Sequence, residues 1–142
     1  MSNEATKIEK LIEAAKIASH KAYAPDSQFK VGAALWSERG IFCGSNVENA
    51  SYGLSMCAER VAIFNAIGSS ATRLEWIVVY TPTKAPTLPC GACRQVLVEF
   101  ALDAQVMCVC DAEKRVRSSV RDLLPFAFDS EHLFRSQAEG QD

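Results

Sequence analysis

The sequence lacks a block of basic residues, a long apolar run and a leader-like start. Its 15 lysines and arginines are spread among 17 acidic residues, and the formal net charge is −2. Because proteins hold nucleic acids through clustered cations, a duplex DNA or long RNA partner is not expected. No apolar stretch approaches the roughly 20 residues that a membrane helix needs. Residues 1–4 are polar and acidic, unlike a secretion signal, so we expect a cytoplasmic protein with no membrane partner.

The composition is typical of one folded domain. Of the 142 residues, 49% are hydrophobic and 23% are charged, which is enough for a substantial core. We find neither an internal repeat nor a linker-like stretch. We therefore expect a single domain over residues 1–142, with flexible tails at residues 1–4 and 136–142.

The six cysteines fall into two groups. Disulfides are not expected, because the chain is large and apolar enough to fold without them and the expected compartment is reducing. One group stands beside signals for a helix start: Cys57, Cys90 and Cys93. The other lies in strand-like apolar runs: Cys43, Cys108 and Cys110. We expect the second group to be small buried hydrophobic residues, the commonest state of a free cysteine.

Apolar periodicity predicts an α/β fold. A first amphipathic helix is predicted to end near Tyr23, and residues 29–36 are predicted to form the first strand. The continuous apolar run at residues 74–81 predicts a strand at the centre of a sheet. The full order is α-β-β-α-β-α-β-β-α, followed by a polar tail from Asp129. Such alternation predicts a three-layer α/β/α domain with a mixed sheet of about five strands.

The first group of cysteines has the pattern of a metal site. Cys57 and Glu59 stand in the first turn of one predicted helix, and Cys90 and Cys93 in the first turn of another. Cysteines three apart at a helix start can chelate one ion, and the partial positive charge there favours thiolates. Three protein ligands leave the fourth position of zinc free for water, whose proton Glu59 can accept and return. The pattern therefore predicts a catalytic zinc site.

Two other interpretations of these cysteines explain less. A lone Cys-x-x-Cys pair is often redox-active, but that leaves Cys57 and Glu59 unexplained. A structural zinc needs a fourth ligand, and neither His20 nor His132 stands beside a second one. The remaining candidates for that ligand are the other three cysteines. Arg60 either donates hydrogen bonds to the thiolates or forms a surface ion pair, and the sequence leaves both open.

The same residues carry a family resemblance. Cys57-Ala58-Glu59 and Pro89-Cys90-Gly91-Ala92-Cys93 reproduce the all-cysteine form of the zinc nucleobase deaminase motif. Residues 29–35, 46–52 and 123–128 extend the match over most of the chain. The sequence resembles a cytidine deaminase of the small, homotetrameric, zinc-dependent type.

The resemblance implies a role for each matching residue. It implies one Zn²⁺ per chain, held by Cys57, Cys90 and Cys93, with Glu59 as the proton shuttle. It also implies a nucleoside site in which Asn46 and Glu48 hold the ribose hydroxyls, Phe29 packs on the pyrimidine and the Ala58 backbone contacts its polar edge. Tyr52 and Phe128 match residues that reach a neighbouring subunit's pocket, and Phe126 is an alternative to Phe128.

The implied reaction is the hydrolytic deamination of cytidine and 2′-deoxycytidine to uridine and 2′-deoxyuridine, with release of ammonia, in pyrimidine salvage. Two alternatives stay open. A related deaminase acting on another aminopyrimidine nucleoside, such as blasticidin S, would share the metal motif, although Asn46 and Glu48 speak against it. An inactive, zinc-stabilised module that binds nucleic acid is disfavoured by the acidic charge balance.

Overall fold

A computed structural model describes residues 3–138, with side chains described for residues 3–135. The helices are α1 (Asn3–Ser19), α2 (Ala58–Gly68), α3 (Gly91–Ala101), α4 (Val120–Leu123) and α5 (Ser130–Ala138). The strands are β1 (Gly32–Ser37), β2 (Gly40–Ser45), β3 (Leu74–Thr81), β4 (Gln105–Cys110) and β5 (Arg115–Ser119). A short 3₁₀ turn (Tyr52–Leu54) precedes α2.

The strands form one mixed sheet in the order β2-β1-β3-β4-β5. Strands β3 and β4 are parallel because α3 carries the chain back between them, and the other neighbours are antiparallel. Strand β3 lies in the middle, as its unbroken apolar run predicts. The order of elements and the five-stranded mixed sheet confirm the predicted α/β class.

Helices cover both faces of the sheet. Since side chains alternate along a strand, Trp76, Val78 and Tyr80 pack in the core under α1, whereas Ile77 and Val79 pack under α2 and α3. This arrangement confirms the three predicted layers. No helix within the described residues combines the length and the apolar character needed to cross a bilayer.

A glycine brings α2 directly onto the sheet. A Cβ atom on Gly44 of β2 would lie 2.4 Å from both the Ala58 carbonyl oxygen and the Ala62 nitrogen. Real Cβ atoms do not approach other atoms so closely, so only glycine permits this contact. The close approach fixes the first turn of α2 against the sheet, and with it the residue just before the helix, Cys57.

Two predicted boundaries are wrong, and one helix was not predicted. Helix α1 ends at Ser19 rather than near Tyr23. Strand β1 begins at Gly32 rather than at Phe29, because the Phe29 oxygen and the Val31 nitrogen bond to a side chain instead of to a neighbouring strand. The polar tail after Asp129 contains α5, a helix whose leucine and phenylalanine are exposed and therefore give no core periodicity.

The predicted flexible tails at residues 1–4 and 136–142 include the start of α1 and the end of α5. Residues 3 and 4 begin α1, and residues 136–138 end α5. Residues 1–2 and 139–142 lie outside the described part of the chain. Flexibility at these ends stays a prediction.

Candidate active site

Two helices start at the same place and bring three cysteines together. Cys57 is the residue before α2, Cys90 is the residue before α3, and Cys93 lies in the first turn of α3. Their sulfur atoms all lie within 4.8 Å of one another, and those of Cys57 and Cys90 are 3.7 Å apart. Thiolates bound about 2.3 Å from a tetrahedral zinc ion are separated by about 3.8 Å. The spacing of the sulfurs therefore fits a zinc ion.

The group contains three cysteine ligands within the described part of the chain. Among the described side chains, no histidine, aspartate, glutamate or further cysteine joins Cys57, Cys90 and Cys93. His132 instead contacts Asp129, with Nδ1 2.7 Å from a carboxylate oxygen. Since structural zinc sites have four protein ligands, a three-cysteine site is of the kind that keeps a position open for chemistry.

The electrostatics of the cluster favour a thiolate on Cys57. A hydrogen bond from the Cys93 thiol lowers the pKa of Cys57 to about 5, with help from Arg60, whose Nη2 lies 3.5 Å from the Cys57 sulfur. The same hydrogen bond raises the pKa of Cys93, because that thiol holds the shared proton. Both helix N-termini add a partial positive charge. The site is thus suited to a cation that replaces this proton.

Arg60 faces the cysteines rather than an acidic surface partner. Its hydrogen bond to Cys57 raises the pKa of the guanidinium. Its Nε atom is buried and has no hydrogen-bond partner among the described groups. A buried donor without an acceptor is costly, so it points to a negative charge at this position. Of the two interpretations that the sequence left open, the contacts favour donation to the thiolates.

Glu59 lies buried next to the cluster. It is the second residue of α2, its exposed fraction is 5%, and burial raises its pKa. Burial thus favours the protonated form of a group that must accept and return a proton in general acid–base catalysis. Glu59 also lines a cavity of about 160 Å³ together with Cys57 and Cys90.

The cavity contains some of the predicted substrate-binding residues. Phe29, Asn46 and Ala58 line it together with the metal-site residues. Glu48 is close to Asn46 in the chain but does not line the cavity. Tyr52 and Phe128 do not line it either, and their exposed fractions are 78% and 57%. The ring of Phe128 instead stacks on His132, with 5.7 Å between centroids.

Asn46 and Glu48 both hold the loop that carries Phe29. Asn46 donates from Nδ2 to the Phe29 oxygen at 2.8 Å and accepts from the Val31 nitrogen at 2.8 Å. Glu48 accepts from the Asp26 nitrogen at 2.9 Å and from the nitrogen and hydroxyl of Ser27. The Ser27 hydrogen bond is the main reason that the pKa of Glu48 is lowered. The two side chains therefore shape one wall of the cavity.

Sequence reasoning missed three further residues that line the cavity beside Val79, namely Thr81, Thr87 and Leu88. Thr81 is almost fully buried at the end of β3, and its hydroxyl lies 2.8 Å from that of Thr83. A signal was available, because ligand sites in open α/β sheets lie beyond the carboxyl ends of parallel strands. Thr81 ends the central strand, and the loop from it leads into Cys90.

Comparison with known proteins agrees with this geometry. The family model for the cytidine and deoxycytidylate deaminase zinc-binding region matches residues 5–110. The chain belongs to this deaminase family. It is 41% identical over 128 residues to a cytidine deaminase of Sporosarcina psychrophila, covering 89% of this chain and 94% of the relative. The resemblance seen in the sequence is therefore confirmed.

A solved structure and a more distant relative refine the placement. The crystal structure of cytidine deaminase from Burkholderia pseudomallei has a TM-score of 0.81 and 47% identity, covering 90% of this chain and 100% of that one. A blasticidin-S deaminase of Bacillus cereus is only 25% identical over 112 residues, covering 72% of this chain and 79% of the relative. Within the deaminases, the chain is thus more similar to those named for cytidine.

Proposed function

We propose that the chain is a zinc-dependent hydrolase that deaminates cytidine and 2′-deoxycytidine to uridine and 2′-deoxyuridine, with release of ammonia, in pyrimidine salvage. One observation carries the proposal: a buried carboxyl, Glu59, lies beside three clustered cysteines that no fourth ligand joins among the side chains described. The similarity to proteins named cytidine deaminase supports the choice of substrate.

The cysteines would hold the metal. Cys57, Cys90 and Cys93 supply three sulfur ligands, and the orphaned Arg60 Nε offsets part of their negative charge. Zinc bound there lowers the pKa of a water molecule toward ~7 and supplies a hydroxide nucleophile at neutral pH. The chemistry of the donors fits this ion, since zinc accepts thiolate ligands readily.

Glu59 would move the protons of the reaction. Its carboxylate accepts the proton that water gives up and delivers it to N3 of the pyrimidine as oxygen adds to C4. It then takes the remaining proton of that water from the new hydroxyl on C4 and transfers it to the departing amine, and the C4–N bond breaks to release ammonia. Cytidine and water thus become uridine and ammonia, with Glu59 back in its starting state. Burial raises its pKa, which favours the carboxyl as a carrier of the proton.

The cavity walls would orient the nucleoside. Phe29 packs on the pyrimidine, and the Ala58 backbone contacts the polar edge of the base. Asn46 and Glu48 hold the ribose hydroxyls from the other end. The Glu48 carboxylate already accepts three hydrogen bonds, and a carboxylate has about four acceptor positions, so one remains for a hydroxyl. A hydrogen bond to an ionised group is also a strong one.

We further propose that one chain does not complete the site. The cavity of about 160 Å³ is smaller than the ~300–1,000 Å³ of ordinary small-molecule sites. Tyr52 and Phe128 are large, exposed and outside it. We propose a cytoplasmic homotetramer in which each chain is a single domain over residues 1–142. In this assembly Tyr52 and Phe128 of one subunit would close the cavity of a neighbouring subunit. Phe126 is the alternative to Phe128. The molecular mass in solution, together with the effect of Tyr52→Ala on KM, tests this part.

The proposed reaction is tested by the loss of the cytidine ultraviolet chromophore. Wild-type protein is expected to convert cytidine, and removal of zinc by a chelator is expected to stop the conversion. Glu59→Gln should keep zinc but lose about 10²–10⁴-fold in kcat, since it removes only the proton transfers. Glu99→Gln is the matched control, because Glu99 is exposed on α3.

Three results would overturn the proposal. The first is turnover by Glu59→Gln at the rate of Glu99→Gln, and the second is turnover that is unaffected by zinc removal. The third is ammonia release from blasticidin S with a higher kcat/KM than from cytidine, which would move the chain to the related deaminase class.

A further inference from the structure

Arg94 holds both peptide groups that flank a metal-site cysteine. Its side-chain Nε donates to the Pro89 oxygen at 2.8 Å, and its backbone nitrogen donates to the Cys90 oxygen at 3.0 Å. The first carbonyl belongs to the peptide before Cys90 and the second to the peptide after it. Because Cys90 has no side-chain capping bond of its own, these two contacts with Arg94 help to fix the direction of its sulfur.

The same turn of α3 also holds a distant part of the chain. Arg94 donates from Nη1 to the oxygen of Leu123, the last residue of α4, at 2.9 Å. Gln95 donates from Nε2 to the Phe128 oxygen at 2.7 Å. A cation at the end of a helix is favourable, since the last carbonyls have no partners inside the helix. Two adjacent side chains thus hold both ends of residues 123–128.

Residues 123–128 are only partly packed against the core. Leu123 is buried and Leu124 and Ala127 pack partly buried against the core, but Phe126 is fully exposed and Phe128 is 57% exposed. Phe126 also has a φ of 56°, a left-handed conformation that a bulky residue adopts at a cost. A segment whose apolar contacts are only partly buried opens at a lower free energy than the core does. The hydrogen bonds from Arg94 and Gln95 therefore contribute to holding it in place.

We propose that Arg94 and Gln95 are positioning residues that couple occupancy of the cysteine site to the position of residues 123–128, an inference that rests on the zinc site proposed above. A metal ion fixes the Cys90 and Cys93 sulfurs and so orders the turn that begins α3. Without the ion, this turn and the two side chains that follow it loosen together. Coupling of this kind is reciprocal, so a well-held segment slows metal loss by the same free energy.

Limited digestion with chymotrypsin measures the effect of the metal on the position of residues 123–128. The cleavage rate after Phe126 and Phe128 is compared between zinc-loaded and zinc-free protein of the same molecular mass in solution, so that subunit dissociation does not contribute. Cleavage after the buried Trp76 is the reference for global unfolding. Zinc removal should raise the first rate roughly 5-fold to 100-fold in the wild type, the usual range of coupling energies. In Arg94→Gln the rate should be high in both states.

Arg121→Gln is the matched control. Arg121 lies on α4, close to the same segment, but its guanidinium binds Asp103 at 2.7 Å rather than the metal-site turn. This variant should keep the wild-type response to zinc. The reciprocal measurement is zinc release to a chelator, which Arg94→Gln should accelerate about 10-fold to 100-fold. The lysine side chain in Arg94→Lys can contact either the Pro89 oxygen or the Leu123 oxygen, but not both. This variant should therefore release zinc at a rate between those of the wild type and Arg94→Gln.

Each outcome decides the proposal. Cleavage that does not respond to zinc in the wild type, or zinc release from Arg94→Gln at the rate of Arg121→Gln, overturns it. If Arg94→Gln does not fold, Arg94→Lys and Gln95→Ala carry the same two measurements. A wild-type chain that shows the coupling but leaves cytidine unchanged rejects the proposed function alone. A chain that converts cytidine without the coupling rejects this inference alone.

Discussion

Cys57 and Cys90 lie immediately before α2 and α3 with Cys93 one turn further on, whereas Cys108 lies inside the central part of the sheet on β4. Next to Cys93 and Arg60, the pKa of the Cys57 thiol is lowered to about 5. On β4, burial raises the pKa of the Cys108 thiol to about 12. The comparison shows that hydrogen bonds from a thiol and a guanidinium lower the pKa of a half-buried cysteine, whereas burial without them raises it.

The largest expected difference is between the loss of a metal-site cysteine and the loss of a cysteine in the sheet, measured by zinc content and turnover. We expect Cys93→Ala to lose zinc and at least about 10³-fold in kcat/KM, because several kcal/mol of transition-state stabilisation depend on the metal. Cys108→Ala should keep both, but its free energy of unfolding should fall by about 1–3 kcal/mol, since a small cavity forms in the core. Metal content, turnover and denaturant unfolding measure these effects. Zinc loss from a folded Cys108→Ala variant would contradict the assignment of metal binding to the cysteines at the helix starts alone.

Alkylation of the zinc-free chain should show the second contrast. At pH 7 Cys57 should react with iodoacetamide roughly 100-fold faster than Cys108, since its larger thiolate fraction outweighs its lower intrinsic nucleophilicity. The Cys57 rate should be flat above pH 6 and should fall as pH drops through about 5, where the thiolate is protonated. Peptide mass spectrometry across a pH series measures both rates. Equal rates, or a Cys57 rate that still rises above pH 8, would contradict the assignment.

Substitution of Arg60 should have a smaller effect. Arg60→Gln removes the guanidinium that donates to Cys57, and we expect a loss of about 10-fold to 100-fold in zinc affinity or in kcat. Arg39→Gln is the control, because Arg39 donates to the Ser70 oxygen at 2.8 Å in an exposed turn. Zinc competition assays and turnover compare the two variants. Equal zinc affinity and equal kcat in the two variants would contradict a role for Arg60 at the metal site.

Much of this organisation could be predicted from the sequence. The apolar run of β3 and the alternation of strands with helices give the three-layer sheet, since burial on both faces leaves a clear pattern. The two Cys motifs give the metal cluster, because a helix start brings closely spaced residues to one point. These patterns involve residues that are close together in the chain, so they can be recognised without knowing the tertiary contacts.

Other features depend on contacts between distant residues. The prediction that Phe29 begins β1 was wrong, because Asn46 takes up the backbone groups that a neighbouring strand would otherwise bind. Helix α5 was missed because exposed apolar residues give no core pattern. The hydrogen bond from Arg94 to Leu123 joins residues 29 positions apart, and nothing in the Cys-Arg-Gln motif specifies that partner.

X-ray absorption at the zinc edge of the purified chain is the most direct test of a three-cysteine catalytic centre. It should show one zinc per chain with three sulfur atoms at about 2.3 Å and one lighter atom at about 2.0 Å. Cys93→Ala should lose this signal, and Cys108→Ala should retain it unchanged. Absence of zinc from the wild-type protein, or a first shell filled by four protein side chains, would contradict the proposed site and the reaction that depends on it.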